Sequence, residues 1–219
     1  MSKPKHRKLP EEVRRADIIN AARLLFSRRG FERTRMDDVA AQAGLTKGGL
    51  YFHFKNKRQL MEAVVNDRVQ ALAGYMDELE QLAGDPEEVL RSTFEVFLRE
   101  IAENIALAEP GSDDYYPGPL EVFLEGQKML AENTRVADIF RRVRTHVARL
   151  VEAGKRQGMF PQADPEAAAV SSVGAVQGLY LQYGFDPAAF DLKDMGARIF
   201  EQFLRGLRAP GSHSDDQKR

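Results

Sequence analysis

Apolar residues recur along this chain at steps of three and four, and no apolar–polar alternation of period two persists beyond a few residues. The pattern predicts an all-α protein without strands, and no repeat of fixed period appears. A first helix is predicted over 13–29, with Ile18, Ala21 or Ala22, Leu25 and Phe26 on one face and Gly30 as its stop. Two short helices follow, one after Thr34 and one after Thr46. A long helix over 57–82 carries Met61, Val64 or Val65, Leu72, Tyr75 or Met76 and Leu79 on its apolar side. Asp85-Pro86 opens the next, with Leu90, Phe94, Phe97, Ile101 and Ile105 as a buried stripe. An acidic, turn-rich loop over 108–119, predicted disordered, precedes helices over 120–132 and 135–157. Asn133 or Thr134 is the expected cap of the second of these, with Ile139 or Phe140, Val143, Val147 and Leu150 inward and Gly158 as its stop. Asp164-Pro165 opens a helix over 165–183, and Asp191 caps a last one over 192–207.

The most informative stretch is 34–57, TRMDDVAAQAGLTKGGLYFHFKNK. Thr34 is the expected N-cap of a two-turn helix whose stripe is Met36, Val39, Ala40 and Ala43. Gly44 ends it, small Ala40 permits a close crossing, and Leu45 plugs the corner. Thr46 then caps a second short helix with Leu50 and Phe54 facing inward. That leaves Lys47, Gly48, Gly49, Tyr51 and His53 outward or along the rim. A polar, aromatic, glycine-thin face suits a DNA major groove, where the backbone can approach and Lys, Tyr and His reach base edges or phosphates. Asn56 caps the long helix, whose first amides and Lys57 are expected at a phosphate. Arg28, Arg29, Arg33 and Arg35 gather beside the motif. The plain alternative is a helical hairpin buried in a core.

In Thr34, Val39-Ala40, Ala43-Gly44-Leu45-Thr46-Lys47-Gly48, Leu50-Tyr51, His53-Phe54 and Asn56-Lys57 the stretch resembles the helix-turn-helix of the tetracycline-repressor (TetR) family. The resemblance is strong over about 13–60 and architectural beyond. Gly49 and Arg58 depart from it, standing where a small Ala, Ser or Thr and an acidic residue are commoner.

Charge divides the chain in the same place. Residues 1–60 hold 15 Lys and Arg against 6 Asp and Glu, and the remainder 17 against 27, although the net charge is only −1. A basic module on an acidic body attracts phosphate at one end alone. Domains are therefore expected at 1–60, with Lys3, Lys5, His6, Arg7 and Lys8 in a polar arm that is either a phosphate contact or an ordinary tail, and at 61–219. The chain has no Cys, no long apolar run and no apolar segment after its basic start. These features predict an intracellular protein that does not engage a membrane.

Catalytic and metal chemistry is not indicated. The four histidines (His6, His53, His146, His213) form no metal-spaced pair, and no phosphate loop or nucleophile elbow is present. No cofactor is expected, and His146 reads as a rim or core residue. Phe94, Phe97, Phe123, Met129 and Tyr180 read as core by default. The family resemblance implies instead an effector pocket among the middle helices, with Gln177 or Tyr180 as a polar handle and an apolar or amphipathic effector. Ala167, Ala168, Ser171, Gly174, Ala175 and Gly178 put small residues along one helix, suited to close packing inside one subunit or against a copy. The resemblance favours a homodimer through the last two helices, with Gly174, Gly178, Met195, Ile199 and Phe203 at the interface. The resulting expectation is a repressor that leaves its operator when an effector binds. The rivals are a regulator without a small effector, activating or controlled by a protein partner, and an enzyme with an appended motif.

Overall fold

The computed structural model describes residues 11–108, Gly118, residues 121, 122 and 124, and residues 134–208, the first three of the last stretch by backbone alone. The arm before residue 11, nearly all of the 108–119 loop, Phe123, Met129, Asn133, His213 and the polar tail lie outside the described residues, as do the side chain of Thr134 and most of the helix expected over 120–132. Among the described residues eight α-helices are delineated and no strand occurs. They are α1 (Glu11–Arg29), α2 (Met36–Gln42), α3 (Lys47–His53), α4 (Lys57–Gln81), α5 (Pro86–Ala106), α6 (Thr134–Arg156), α7 (Pro165–Phe185) and α8 (Leu192–Arg208). Gly118, Glu121, Val122 and Leu124 are also helical.

The chain divides into two compact units, one made of Met1–Arg68 with Leu107–Met129 and the other of Val69–Ala106 with Leu130–Arg219. The expected break at residue 60 is therefore displaced. Leu60, Met61, Ala63 and Val64, the first turns of α4, are buried in the first unit's core, so a boundary there would cut through packed side chains. That core gathers Ile18, Ala22 and Phe26 of α1, Val39 of α2, Leu50 and Phe54 of α3 and those α4 residues, with Val122 packed against it. Full burial of each large side chain contributes about 1.5–3 kcal/mol.

In the second unit, α5, α6, α7 and α8 pack on one another. Asp85 Oδ1 accepts from the Glu87 and Glu88 amides at 2.9 and 3.3 Å, and Asp164 Oδ1 accepts from Glu166 and Ala167 at 2.9 and 3.1 Å. Asp191 Oδ1 likewise accepts from Asp194 at 2.7 Å, so all three expected caps form. Along the stripes, Leu90, Phe94, Ile101 and Ile105 are buried, but Phe97 and Leu150 are only half-buried, and Val151 takes the inward place expected for Leu150. Arg142 grips Glu80 through both its carboxylate oxygens, at 2.8 and 2.7 Å, and Asp77 at 2.6 Å, tying α6 to the end of α4. The same pairing holds the Glu80 carboxyl below its ordinary range, chiefly through the Arg142 hydrogen bond.

Candidate nucleic-acid interface

The interface is built at the α2–α3 corner. Gly44 turns the chain with φ 66, a left-handed conformation that glycine adopts without strain, and Leu45 packs half-buried against the core as expected. Thr46 Oγ1 accepts from the Gly49 amide at 3.2 Å and starts α3. Leu50 and Phe54 are buried, which fixes the rotation of α3 and sends Lys47, Gly48, Tyr51 and Phe52 to the surface, while Gly49 and His53 are half-buried at the rim. A Cβ at Gly48 would meet nothing within 4 Å, and one at Gly49 only ordinary contacts, Thr46 Oγ1 at 3.4 Å being nearest. The chain's own packing therefore does not require either glycine. Each costs helix stability of about 1 kcal/mol relative to alanine.

Phe52 is 79% exposed, more than any other large apolar side chain described, and sequence reasoning passed over it. It lies two residues from Leu50 and from Phe54, about 200° around the helix from the inward pair. That spacing, two residues from each inward side chain, is the signal in the sequence that places it at the centre of the outer face. Lys47 Nζ sits 3.1 Å from Asp37 Oδ2 of α2, which raises the pKa of this exposed ammonium through the hydrogen bond, and 5.9 Å from the Tyr51 ring centroid.

Two expected contacts are corrected. Thr34 does not cap α2, since Arg35 occupies that position with its amide donating to Asp38 Oδ2 at 3.1 Å. The Thr34 hydroxyl is buried, 2.7 Å from the Gly30 carbonyl oxygen and 3.3 Å from that of Leu25. It serves carbonyls in the last turn of α1 and just beyond it and is closed to a phosphate, whereas Arg35 is exposed. Lys57 does open α4, but its ammonium donates to the carbonyl oxygens of Phe31 at 2.7 Å and Glu32 at 3.1 Å and lies 4.5 Å from the Phe31 ring centroid. Two of its three donors are thus committed inside the protein. Asn56 caps α4 as expected, its Oδ1 accepting from the Gln59 amide at 2.8 Å, while Gln59 Oε1 reaches back to the Lys55 amide at 2.8 Å.

In the second unit, Phe94 is buried with its ring 5.2 Å from that of Phe200, a core pairing between α5 and α8. Phe97, Gln177 and Tyr180 are half-buried, and Phe123 and Met129 lie outside the described residues. Sequence reasoning missed a buried carboxylate, Glu100 of α5.

His146 is core, 2% exposed. Thr93 donates its hydroxyl hydrogen to the Val89 carbonyl at 2.7 Å, so at 3.2 Å from His146 Nε2 it must accept, and Nε2 carries the proton. Nδ1, 3.2 Å from the Arg149 guanidinium, accepts in turn. Burial first and Arg149 second lower the pKa of this ring, with Arg142 adding to the depression and Glu80 opposing it. Above the unfolded pKa of about 6.5 the histidine is neutral in both states. As pH falls below that, the unfolded chain takes up the proton first, and stability declines until the folded pKa is reached. Thermal melts from pH 7.5 to 5 should show this decline in the wild type, and His146→Gln, which can supply one donor and one acceptor, should flatten it. An identical profile in both proteins would remove His146 as its source.

On α7, Ala168, Ala169 and Leu179 face the unit's own core. Ala167, Val170, Ser171, Gly174 and Phe185 are exposed at helical spacing, Val170 at 56% and Phe185 at 67%. A Cβ at Gly174 would meet nothing within 4 Å, and one at Gly178 only Gln182 Nε2 at 3.8 Å, so within the chain neither glycine is a close-packing site. Met195, Ile199 and Phe203 are half-buried along α8 at four-residue spacing.

Residues 18–64 match the family model described as bacterial regulatory proteins, tetR family, and residues 122–209 match that of the BetI-type transcriptional repressor, C-terminal. The A-factor receptor protein of Streptomyces griseus is 28% identical over 195 residues, covering 89% of this chain and 63% of that protein, so the chain spans less than two thirds of that relative. The HTH-type transcriptional regulator TtgR of Pseudomonas putida is 28% identical over 194 residues, covering 85% of this chain and 88% of that protein. A solved structure of a putative transcriptional regulator from Saccharomonospora viridis in complex with choline shares the fold, with a TM-score of 0.68 at 20% identity, over 89% of this chain and 97% of that one.

Proposed function

Since the chain belongs to the TetR family of transcriptional regulators, we propose that it is a homodimeric repressor that binds a near-palindromic operator through α3 and is released by a small effector held in the second unit. The observation that carries this reading is the outer face of α3, where Lys47, Gly48, Tyr51 and Phe52 stand uncovered on a helix whose two glycines no intrachain contact demands. Arg33 and Arg35 are exposed beside it. Supporting release by an effector are the half-buried Phe97, Gln177 and Tyr180 and the buried Glu100, which offer apolar surface with polar groups. Such an effector is apolar or amphipathic, and a molecule of that kind should be found by mass spectrometry after denaturing the purified protein. No described helix is long and apolar enough to cross a membrane. We place the protein with its DNA in the cytoplasm.

Selection of duplexes from a random pool tests the reading. The wild type should recover one near-palindromic sequence with half-sites about 34–36 Å apart, or separated by a further whole turn. Lys47→Ala should cost about 1–3 kcal/mol on that operator and relax preference at one base pair. Recovery of no preferred sequence by the wild type would reject operator recognition, and unaltered preference in Lys47→Ala would remove Lys47 from base readout.

A further inference from the structure

The turn between α1 and α2 is held from two sides by opposite charges. On one side, Glu121 Oε1 accepts from the backbone amides of Phe31 at 3.0 Å and Glu32 at 3.3 Å. On the other, Lys57 Nζ donates to the carbonyl oxygens of the same two residues at 2.7 and 3.1 Å. A carboxylate on the N–H groups and an ammonium on the C=O groups make four charge-assisted hydrogen bonds to three successive peptide units, of which the Phe31–Glu32 unit is held at both ends, and such bonds are the stronger kind of protein hydrogen bond. Lys57 stands in the first turn of α4, four residues past the last residue of α3. The Phe31–Glu32 turn is therefore bonded at once to the helix that follows α3 and to a residue 90 positions further along the chain.

The segment carrying Glu121 rests directly on α1. A Cβ at Gly118 would lie 2.1 Å from the Ser27 carbonyl oxygen and 2.4 Å from that of Phe26, so no side chain fits there. These are backbone atoms of the last turns of α1, which cannot swing aside as a side chain would. Gly118 thus sets how close the segment comes, and three residues on the carboxylate meets the turn, with Val122 packed against the core.

We propose that Glu121 is a positioning residue for DNA recognition, fixing the Phe31–Glu32 turn on which α2 and α3 are mounted. The inference rests on the operator-binding reading above. Its test exploits a sign. Removing a negative charge from a DNA-binding unit should, by bulk electrostatics alone, tighten binding to phosphate. Loss of a positioning contact should weaken operator binding.

With the full-length chain and the selected operator, Glu121→Ala should bind about tenfold or more weakly, the scale of one or two charged hydrogen bonds. The Phe31 and Glu32 amides should exchange faster with deuterium. Glu121→Gln, which keeps an oxygen acceptor, should fall between wild type and Glu121→Ala in both measurements. Gly118→Ala should reproduce the loss by lifting the segment, and the double variant should be no weaker than the weaker single, since both disturb one contact. Unchanged or tighter operator binding by a folded Glu121→Ala would overturn the proposal, as would weakened binding with unaltered exchange at residues 31 and 32. Should Glu121→Ala fail to fold, Glu121→Gln decides: weaker binding with faster exchange supports the proposal, and wild-type values in both overturn it. A wild-type chain that selects no operator removes the underlying reading as well, which separates that failure from one confined to Glu121.

Discussion

Gly178→Leu should give a folded, helical protein that sediments as a monomer and binds its operator at least 100-fold more weakly. Inside the chain the substitution is tolerable. A Cβ at residue 178 finds only Gln182 Nε2, at 3.8 Å, and leucine is the better helix former by about 0.8 kcal/mol. On the proposed homodimer, the open stripe on α7 instead puts the new side chain where a second copy is expected to approach. A well-packed interface does not absorb four extra carbons at its closest point. Two tethered recognition helices gain about 10²–10⁴ over one through effective concentration, and separation forfeits that gain. Gly196→Leu is the contrasting control, because there a Cβ lies 2.3 Å from Leu98 Cδ1 and the damage falls within the subunit. Sedimentation and footprinting decide the matter. A Gly178→Leu protein that remains a tight dimer and protects both half-sites would place the two-fold axis elsewhere.

Phe54→Ala should do the reverse, keeping the dimer and losing the operator. Phe54 is almost wholly buried, closes α3 through its amide to the Leu50 carbonyl at 3.0 Å, and carries the Arg15 guanidinium 5.1 Å from its ring centroid. Truncating such a ring costs about 3–5 kcal/mol, a large part of the roughly 5–15 kcal/mol that stabilises a domain. The loss falls on the first unit alone. Calorimetry should show a transition that moves to lower temperature while a second, belonging to the other unit, stays in place, and sedimentation should still report a dimer. A melt indistinguishable from wild type, or intact operator binding at 37 °C, would contradict the assignment of Phe54 to the α3 anchor.

Local chemistry was legible in the sequence where the deciding partner lay within one helical turn. Asp85, Asp164 and Asp191 cap the helices they precede, Thr46 and Asn56 cap α3 and α4, and Leu50 with Phe54 sets the inward face of α3. Legibility failed where a distant group competed. Thr34 has the right identity and place for an N-cap, yet carbonyls at the end of α1 take its hydroxyl. Lys57 has the right charge and place for a phosphate contact, yet carbonyls 26 and 25 residues earlier hold its ammonium. Phe94 was a candidate pocket residue until its pairing with Phe200, on a helix near the other end of the chain, made it core. Nothing local to Glu121 marks it as a partner of Phe31, because the bond depends on packing that brings Gly118 and Glu121 to the end of α1.

The first unit is discontinuous, and this sets a schedule for its completion during synthesis. Met1–Arg68 emerges from the ribosome well before Leu107–Met129, the stretch that finishes the same unit. About 60 residues separate the ends of these two pieces, which at roughly 5–20 residues per second is a wait of about 3–12 s. Throughout that interval the Phe31 and Glu32 amides lack their carboxylate and the core lacks Val122. A nascent chain therefore displays α3 before the unit that holds it is whole, and that unit is completed only after the stretch of message encoding Val69–Ala106, the first piece of the second unit, has been read.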